Sequence, residues 1–489
     1  MRKISIDPVT RLEGHGRIDI FLNDGGDVAN AYMVIPELRG FEKFAQGRRV
    51  EELTDITPRI CGVCPEAHHL ASTKACDAVY HVDPPPTAKK LRELFYSAFY
   101  VADHTVHFYI LGGPDFVMGP DAPVAERNIL GVIHKVGVEV GTKVIQMRGL
   151  AMDIIGLLGG RKIHPTFGIP GGVAKAINEE ERKQIEETAR KEIEFALFTL
   201  QVFRDIVLKN KGYMELILSD AFRMPTYYMG MVDGQNRVNF YDGQVRVVDP
   251  EGKEFVKYSP RDYLEVIAER VEPWTYLKFP YLKKVGWKGL VAGKESGVYQ
   301  ATPLSRLNAA DGMATPKAQE AYEEMYKALG GKPVHNLLAT HWARLVELLY
   351  AAERLLELAT DPEITNPQVR NLPTEKPTEG VGIVEAPRGT LTHHYVTDEK
   401  GIVQKANLIV GTTNNYAPIS IAIRQAAQAV IQKGKDITEG MLNRVEMAFR
   451  LYDPCFGCAT HTLPGQMPLE IRIFDAAGNV KDVLKRNLY

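Results

Sequence analysis

The sequence predicts an α+β fold that is mainly helical, with a bundle of long helices as the core and small antiparallel sheets at its ends. Three observations point there. Apolar residues recur at helical spacing over long stretches, as in Leu91, Leu94, Phe95, Ala98, Ala102 and Tyr109. Short alternating segments bounded by Gly-, Asn- and Pro-containing turns fall between them. No linker, repeat or low-complexity stretch divides the 489 residues, although that length would ordinarily suggest about three domains.

Taken in order, Ile18, Ile20 and Leu22 alternate with Asp19 and Phe21, and Asn23-Asp-Gly-Gly26 turns the chain into Val28–Val34, a β-hairpin. A helix is expected near Pro65–Tyr80, then a long one that ends at Gly112-Gly113-Pro114, then a second apolar helix over about 125–158. Asn178 with Glu181 three residues on is a capping box, opening a helix that reaches toward Lys209. Residues 236–258 alternate around Asp242-Gly243 and Pro250-Glu-Gly252, as small antiparallel strands do. Helices are expected at Ala318–Leu329 and Leu337–Ala359, a polar loop over Pro362–Gly380, and a strand pair near Gly382–Glu385 and His393–Leu408. Ile419–Lys433 and Gly440–Leu451 read as helices again.

Composition excludes several classes. Lys+Arg is 59 against Asp+Glu 61, a net charge of −2, which gives no reason to expect a nucleic acid or a membrane surface as partner. No apolar run approaches the length of a transmembrane helix, and the start, MRKISIDPVTRLEGHG, lacks the apolar core of a signal peptide. Five cysteines, an odd and small number, are not a disulfide framework.

Four of them form two CxxC pairs, Cys61 with Cys64 and Cys455 with Cys458. Such a loop brings two thiolates close enough to share a soft or borderline metal. A zinc ribbon separates its pairs by roughly 15–20 residues, whereas about 390 intervene here. Either the pairs are unrelated, each a redox dithiol or zinc half-site, or the fold brings both chain ends to one buried site. A histidine follows each pair, His68 and His461, able to ligate or to tune sulfur. Cys76 reads as a small buried side chain on a helix.

Arg59-Ile-Cys-Gly-Val-Cys-Pro-Glu-Ala-His68 matches RxCGxCxxxH, and Asp453-Pro-Cys-Phe-Gly-Cys-Ala-Thr-His461 matches DPCxxCxxH. With Arg11-Leu-Glu-Gly-His15, Arg39-Gly-Phe-Glu42, Glu385-Ala-Pro-Arg-Gly389 and Thr-Thr-Asn-Asn at 412–415, in that order along the chain, the sequence resembles the large, catalytic subunit of nickel–iron hydrogenases. Arg39-Gly-Phe-Glu-Lys-Phe and Ala71-Ser-Thr-Lys-Ala-Cys-Asp look most like the cytoplasmic, multi-subunit branch, which includes NAD-reducing, methyl-viologen-reducing and electron-bifurcating enzymes.

The resemblance implies the large-subunit fold and reversible heterolytic cleavage of H2. It implies nickel bound by Cys61, Cys64, Cys455 and Cys458, with Cys64 and Cys458 bridging to an iron that carries CO and cyanide. Glu13 would be the first proton acceptor; taken alone it reads as a solvated or salt-bridged residue. Arg388 would lie over the metals, with Asp115 of the same canopy as its partner; their bland readings are an Arg–carboxylate pair and a turn residue. Thr412 would sit near a cyanide, or be a plain strand threonine, and His68 would hydrogen-bond a bridging thiolate. Glu42, His461 and the carbonyl of Leu408 would hold a magnesium, or iron, near the mature C-terminus. His104 and His107, spaced i, i+3, could ligate a metal, but read as polar core residues or part of a cluster-facing surface.

Mature relatives generally end at the last motif's histidine, after an endopeptidase removes the remainder. The expected division is therefore a single catalytic domain over 1–461 and an extension over 462–489, whose alternation at Leu469–Ile473 and turn at Ala477-Gly-Asn479 suggest a hairpin. An iron–sulfur cluster needs about four cysteines, and only Cys76 remains beyond the two pairs. Electrons would therefore leave through an iron–sulfur small subunit and further flavin or iron–sulfur subunits, in the cytoplasm. The rival readings are a non-catalytic subunit like that of respiratory complex I, which retention of all four cysteines opposes, and an H2 sensor.

Overall fold

The computed structural model describes residues 2–460, 469–475 and 478–486. Its organising contact is a helix on a strand. The Pro65–Val79 helix, which starts one residue after Cys64, lies against the strand Glu379–Ala386. The two backbones approach so closely that a Cβ at Gly382 would fall 2.1 Å from the Ala71 carbonyl oxygen, and one at Gly380 2.4 Å from that of Ala75. Only glycine fits at such a crossing. This contact ties the first cysteine motif to the segment that carries Arg388.

Around it run the long helices Pro86–Val106, Val138–Gly159, Glu179–Phe203 and Thr340–Ala359, packed on one another. Their apolar faces join one buried core that extends from Val9 to Ala459. A smaller apolar cluster fills the four-stranded sheet, in the order Tyr299–Gln300, Tyr227–Val232, Gln244–Val248, Glu254–Tyr258, whose first pair is parallel and the rest antiparallel. Among the described residues no helix is long and apolar enough to cross a membrane.

Most expected elements are present. The hairpin of Arg17–Leu22 with Val28–Val34 gains a third strand, Arg2–Ile6. The Asn178 capping box is complete, the Asn178 side chain accepting from Glu181 N–H and the Glu181 carboxylate accepting from Asn178 N–H. That helix continues into a π-helical turn at Arg204–Leu208. The tail strands Leu469–Phe474 and Val480–Arg486 pair antiparallel.

Two readings are corrected. The apolar helix expected over 125–158 is two helices, Ile129–Val136 and Val138–Gly159, because Gly137 at φ +98° breaks the helical path. The first is capped by the Asn128 side chain, which accepts from the N–H groups of Leu130 and Gly131. The strand expected over His393–Leu408 is two strands, Gly389–Thr397 and Val403–Ile409. Asp398 accepts from the N–H groups of Lys400 and Ile402, and Gly401 takes φ +76°, so the chain reverses. With Glu379–Ala386 these make a three-stranded antiparallel sheet.

Glu192 is the odd member of the helix interface. It is fully buried on the Glu179–Phe203 helix, and neither carboxylate oxygen has a hydrogen-bond partner. Burial raises its pKa well above the ordinary carboxyl value. The folded chain therefore holds the proton that the unfolded chain releases, so stability falls as pH rises above the unfolded pKa. Glu192→Met is expected to stabilise the protein by about 1–3 kcal/mol near neutral pH and by less at pH 5. Thermal unfolding at the two pH values measures this, and a loss of stability at neutral pH would show that the carboxyl has a useful partner.

Candidate metal centre

The two CxxC pairs meet. Cys61 Sγ is 3.3 Å from Cys455 Sγ, Cys64 Sγ is 3.2 Å from Cys458 Sγ, and Cys455 Sγ is 3.0 Å from Cys458 Sγ. All four sulfurs lie within 4.8 Å of one another, and all four residues are buried. The first pair sits on the loop into the Pro65–Val79 helix, with Cys64 at its N-cap position. Against the pull of Cys455 and Cys458, its bond to Cys61 and its burial push the Cys64 thiol up to about 11. Of the second pair, Cys455 stands at the N-cap of the short Phe456–Ala459 turn of helix and Cys458 lies within it.

The two chain ends are sewn together here. Glu13 and Cys455 form a parallel β-bridge, with Phe456 N–H donating to Glu13 O. Cys455 N–H donates to Thr412 Oγ1, 3.0 Å away. Two residues before Cys455, Asp453 adopts φ +52°, and Arg11 adopts φ +61°. Left-handed backbone is costly for such residues and is held only where the surroundings over-determine it.

Glu13 reaches the centre with its side chain. Its Oε2 lies 3.0 Å from Cys455 Sγ and accepts from Gly457 N–H at 2.8 Å. Burial, then the negative charge of Cys61, pushes its pKa up. Burial likewise raises the Cys455 and Cys458 thiols. The thiols that donate to Cys61, Cys455 first among them, hold it well below the ordinary thiol value.

A small cavity of about 10 Å³ adjoins Cys64 and Cys458, lined by Ala67, His68, Ala386, Arg388, Leu391, Val410 and Thr412 among others. Its walls are mostly apolar and sulfur, with one guanidinium, one imidazole and one hydroxyl. His68 Nδ1 is 3.2 Å from His393 Nε2, and His393 Nδ1 is 2.7 Å from Tyr395 OH. Arg388 is buried and pairs with Asp103 at 2.9 Å and Asp453 at 2.9 Å. Burial pushes Asp453 up to about 7 against the pull of Arg388 and Arg344.

Here one expectation is corrected. Asp115 does not partner Arg388. It is held by Arg11 at 2.5 Å, Arg450 at 3.1 Å and Asn443. It stands on the Pro114–Val117 turn beyond the Gly112-Gly113 break, so it faces the N-terminal segment. The acids that hold Arg388 are Asp103 and Asp453, neither singled out from the sequence. Asp453 stands inside the quoted second motif, and Asp103 is a lone acid within an apolar helical run, so both left a trace. His104 and His107 are core residues as expected, bonded to Glu347 and to the Arg450 carbonyl.

Glu42 and Leu408 are both buried, and the Phe41–Ala45 helix packs on the strand that carries Leu408. Arg39 N–H donates to Thr460 O at 2.9 Å, which leads the end of the body toward Glu42. Lys278 Nζ stands 3.7 Å from Glu42 Oε1. His461 lies outside the described residues.

The donor set suits a nickel–iron centre. Four sulfurs alone would also suit zinc, but zinc has no use for an apolar cavity topped by a paired arginine at the edge of two of them. Comparison with known proteins agrees. A family profile described as Nickel-dependent hydrogenase matches residues 39–128 and 293–461, and one described as HoxL-like matches residues 3–38. The chain is 53% identical to an iron-sulfur subunit of the F420-non-reducing hydrogenase of Archaeoglobus profundus, covering 98% of this chain and 99% of that one. It is 38% identical to the NAD-reducing hydrogenase HoxS subunit beta of Cupriavidus necator, covering 98% and 99%. A crystal structure of an NAD+-reducing [NiFe]-hydrogenase in the H2-reduced state superposes with a TM-score of 0.88 at 35% identity, covering 94% of this chain and 100% of that one.

The chain therefore belongs to the nickel-dependent hydrogenases. It is a hydrogenase large subunit with a nickel–iron centre, of the kind found in multi-subunit enzymes.

Cys64→Ser and Cys458→Ser are each expected to abolish nickel retention, while Cys76→Ala keeps it, since the Cys76 thiol is buried elsewhere and donates to the Val50 carbonyl. Elemental analysis of the three purified variants decides this, and a nickel-replete Cys458→Ser protein would remove that thiol from the ligand set.

Proposed function

We propose that this chain interconverts H2 with protons and electrons, and that it does so with the residues gathered around the four thiols. The observation that carries this reading is the placement of a carboxyl and a guanidinium on two sides of one buried sulfur cluster. The nickel–iron pair, bound by Cys61, Cys64, Cys455 and Cys458, supplies the redox-active site for heterolytic cleavage. Its iron would carry CO and cyanide in the cavity.

Glu13 takes the proton from the Cys455 sulfur. A carboxyl whose pKa is raised by burial can hold a proton that a solvated one would lose, and Gly457 N–H keeps the accepting oxygen aimed. Arg388 stays protonated and presents rigid donors over the cavity. Asp103 and Asp453 fix its plane and balance its charge. Thr412 holds the Cys455 backbone and offers its hydroxyl to a cyanide, and His68 stands beside the bridging thiolates.

Electrons must leave by another chain. Four of the five cysteines belong to the centre, and the fifth is alone, so no iron–sulfur cluster can form here. Gly62 and Val63, between the first two ligands, are exposed. An iron–sulfur small subunit docked there would sit against the ligand loop, with further flavin or iron–sulfur subunits beyond it in a cytoplasmic complex. Glu42, the Leu408 carbonyl and His461 would hold a magnesium ion that pins the C-terminal segment. Residues 1–461 would be the mature body, released from 462–489 by a maturation endopeptidase.

Elemental analysis and infrared spectra of the purified complex test the centre. Stoichiometric nickel with bands in the CO and cyanide region is the expected result, and zinc or no metal without such bands would remove the basis for the catalytic roles. Intact mass tests the tail: nickel-containing active protein that still includes Thr462–Tyr489 would rule out cleavage as a requirement. Glu13→Gln is expected to lower H2 oxidation by about 100-fold or more with nickel content unchanged. Near-parental turnover would place the first proton acceptor elsewhere.

A further inference from the structure

The turn that carries Arg388 is held more tightly than a turn between two strands requires. It joins Glu379–Ala386 to Gly389–Thr397. Four successive carbonyls of this turn each accept side-chain bonds. Glu385 O accepts from the hydroxyls of Tyr96 and Tyr100. Ala386 O accepts from Arg306 Nη1 at 2.9 Å, and Pro387 O from Arg306 Nη2 at 3.2 Å and Arg344 Nη1 at 3.4 Å. Arg388 O accepts from Asn415 Nδ2 at 2.9 Å. Gly389 follows at φ +142°, where a Cβ would lie 2.5 Å from the Ala301 carbonyl oxygen.

Arg306 is the hub. Besides the two carbonyls, its Nε donates to Glu347 Oε1 at 2.6 Å, its Nη2 to Glu347 Oε2 at 2.7 Å and its Nη1 to Glu385 Oε2 at 3.1 Å. A guanidinium has five N–H donors, and all five are used. The side chain is fully buried. Both its anchors are fixed in turn. Glu347 stands on the Thr340–Ala359 helix and is bonded to His104, while Glu385 accepts from Met231 N–H and the Thr390 hydroxyl. Arg306 therefore couples the helical core to the backbone from which Arg388 projects.

We infer that Arg306 is a positioning residue for Arg388: by binding the Ala386 and Pro387 carbonyls it sets where the Arg388 guanidinium stands over the metal cavity. This rests on the role proposed for Arg388 above. Lysine cannot replace Arg306, because an ammonium has three donors and no planar fork for five acceptors in two directions.

The test uses the nickel-loaded complex carrying Arg306→Lys, Arg388→Lys and the double substitution. The readouts are infrared bands of the iron ligands, H2 oxidation, nickel content and the crystal structure of Arg306→Lys. The single Arg306→Lys is expected to keep nickel, to shift the bands and to slow turnover roughly 10- to 100-fold. In its crystal structure Arg388 is displaced from Asp103 and Asp453. Added to Arg388→Lys, it is expected to cause little further loss, because the group it positions is already gone.

As a control, Glu353→Gln weakens a buried carboxylate that accepts from the Thr315 hydroxyl and Ala318 N–H on the same long helix. It is expected to lower the melting temperature and leave the bands in place. Bands unmoved in Arg306→Lys, Arg388 undisplaced, or losses that multiply in the double variant would each overturn the inference and leave Arg306 a purely structural residue. If Arg388→Lys itself changes nothing, the reading of Arg388 fails, and the position of Arg388 in the Arg306→Lys crystal still decides the positioning claim. Should Arg306→Lys fail to fold, Glu385→Gln removes one charge that holds Arg306 and keeps the side-chain shape. A band shift with nickel retained supports the inference, and unmoved bands overturn it.

Discussion

Four thiols from opposite ends of a long chain have to meet in a dry place, and the rest of the structure answers to that demand. Sulfurs within 4.8 Å of one another cannot all ionise without a cation. The protein alone favours one thiolate at Cys61 and protonated partners at Cys455 and Cys458. Metal insertion must therefore expel protons from a buried quartet, and Glu13, already bonded to Cys455, is the nearest acceptor. The β-bridge between Glu13 and Cys455 serves both ends of this chemistry. It closes the fold, and it puts the Glu13 carboxyl against the Cys455 sulfur.

Closing the chain this way buries charge, and the buried charges are organised as groups of opposite sign. Arg388 and Arg344 face Asp103 and Asp453. Arg306 faces Glu347 and Glu385. Arg11 and Arg450 face Asp115 and Glu446. Removing one member of such a group strands its partner at a cost of about 3–5 kcal/mol. Only the first group touches the metal cavity. The second holds the backbone of the first, and the third holds the N-terminal segment on which Glu13 is carried.

What was legible in the sequence follows from this arrangement. The cysteines, Glu13, Arg388 and Thr412 stand in short motifs whose spacing survives without the fold, and the structure brings all of them to one place. Long helices were legible where caps and periodicity agree, as at Asn178. Pairings across the chain were not. Asp115 and Asp103 both stand near the end of one long helix, and nothing local distinguishes the acid that meets Arg388 from the one that meets Arg11. Only the direction in which the π-helical turn His107–Gly112 swings the chain separates them. Arg306 left no signal, because its role is to bind carbonyls contributed by residues about 80 positions away. The split at Gly137 was missed because a single glycine within a helical pattern is more often tolerated than used as a break.

The described residues on either side of the proposed C-terminal boundary differ in burial. Thr460 is fully buried, its carbonyl taken by Arg39 N–H, and the core runs unbroken to Ala459. The hairpin beyond is of another kind: Ile473, Val480, Val483 and Leu484 leave large apolar surface exposed, and an isolated two-stranded hairpin is marginal by itself. Cutting the chain after position 461 would leave every described hydrogen bond around the thiols in place. It would remove an exposed apolar surface of the sort a partner or a peptidase can recognise. The described hydrogen bonds around the thiols thus all lie within residues 2–460, on the body side of the proposed cut.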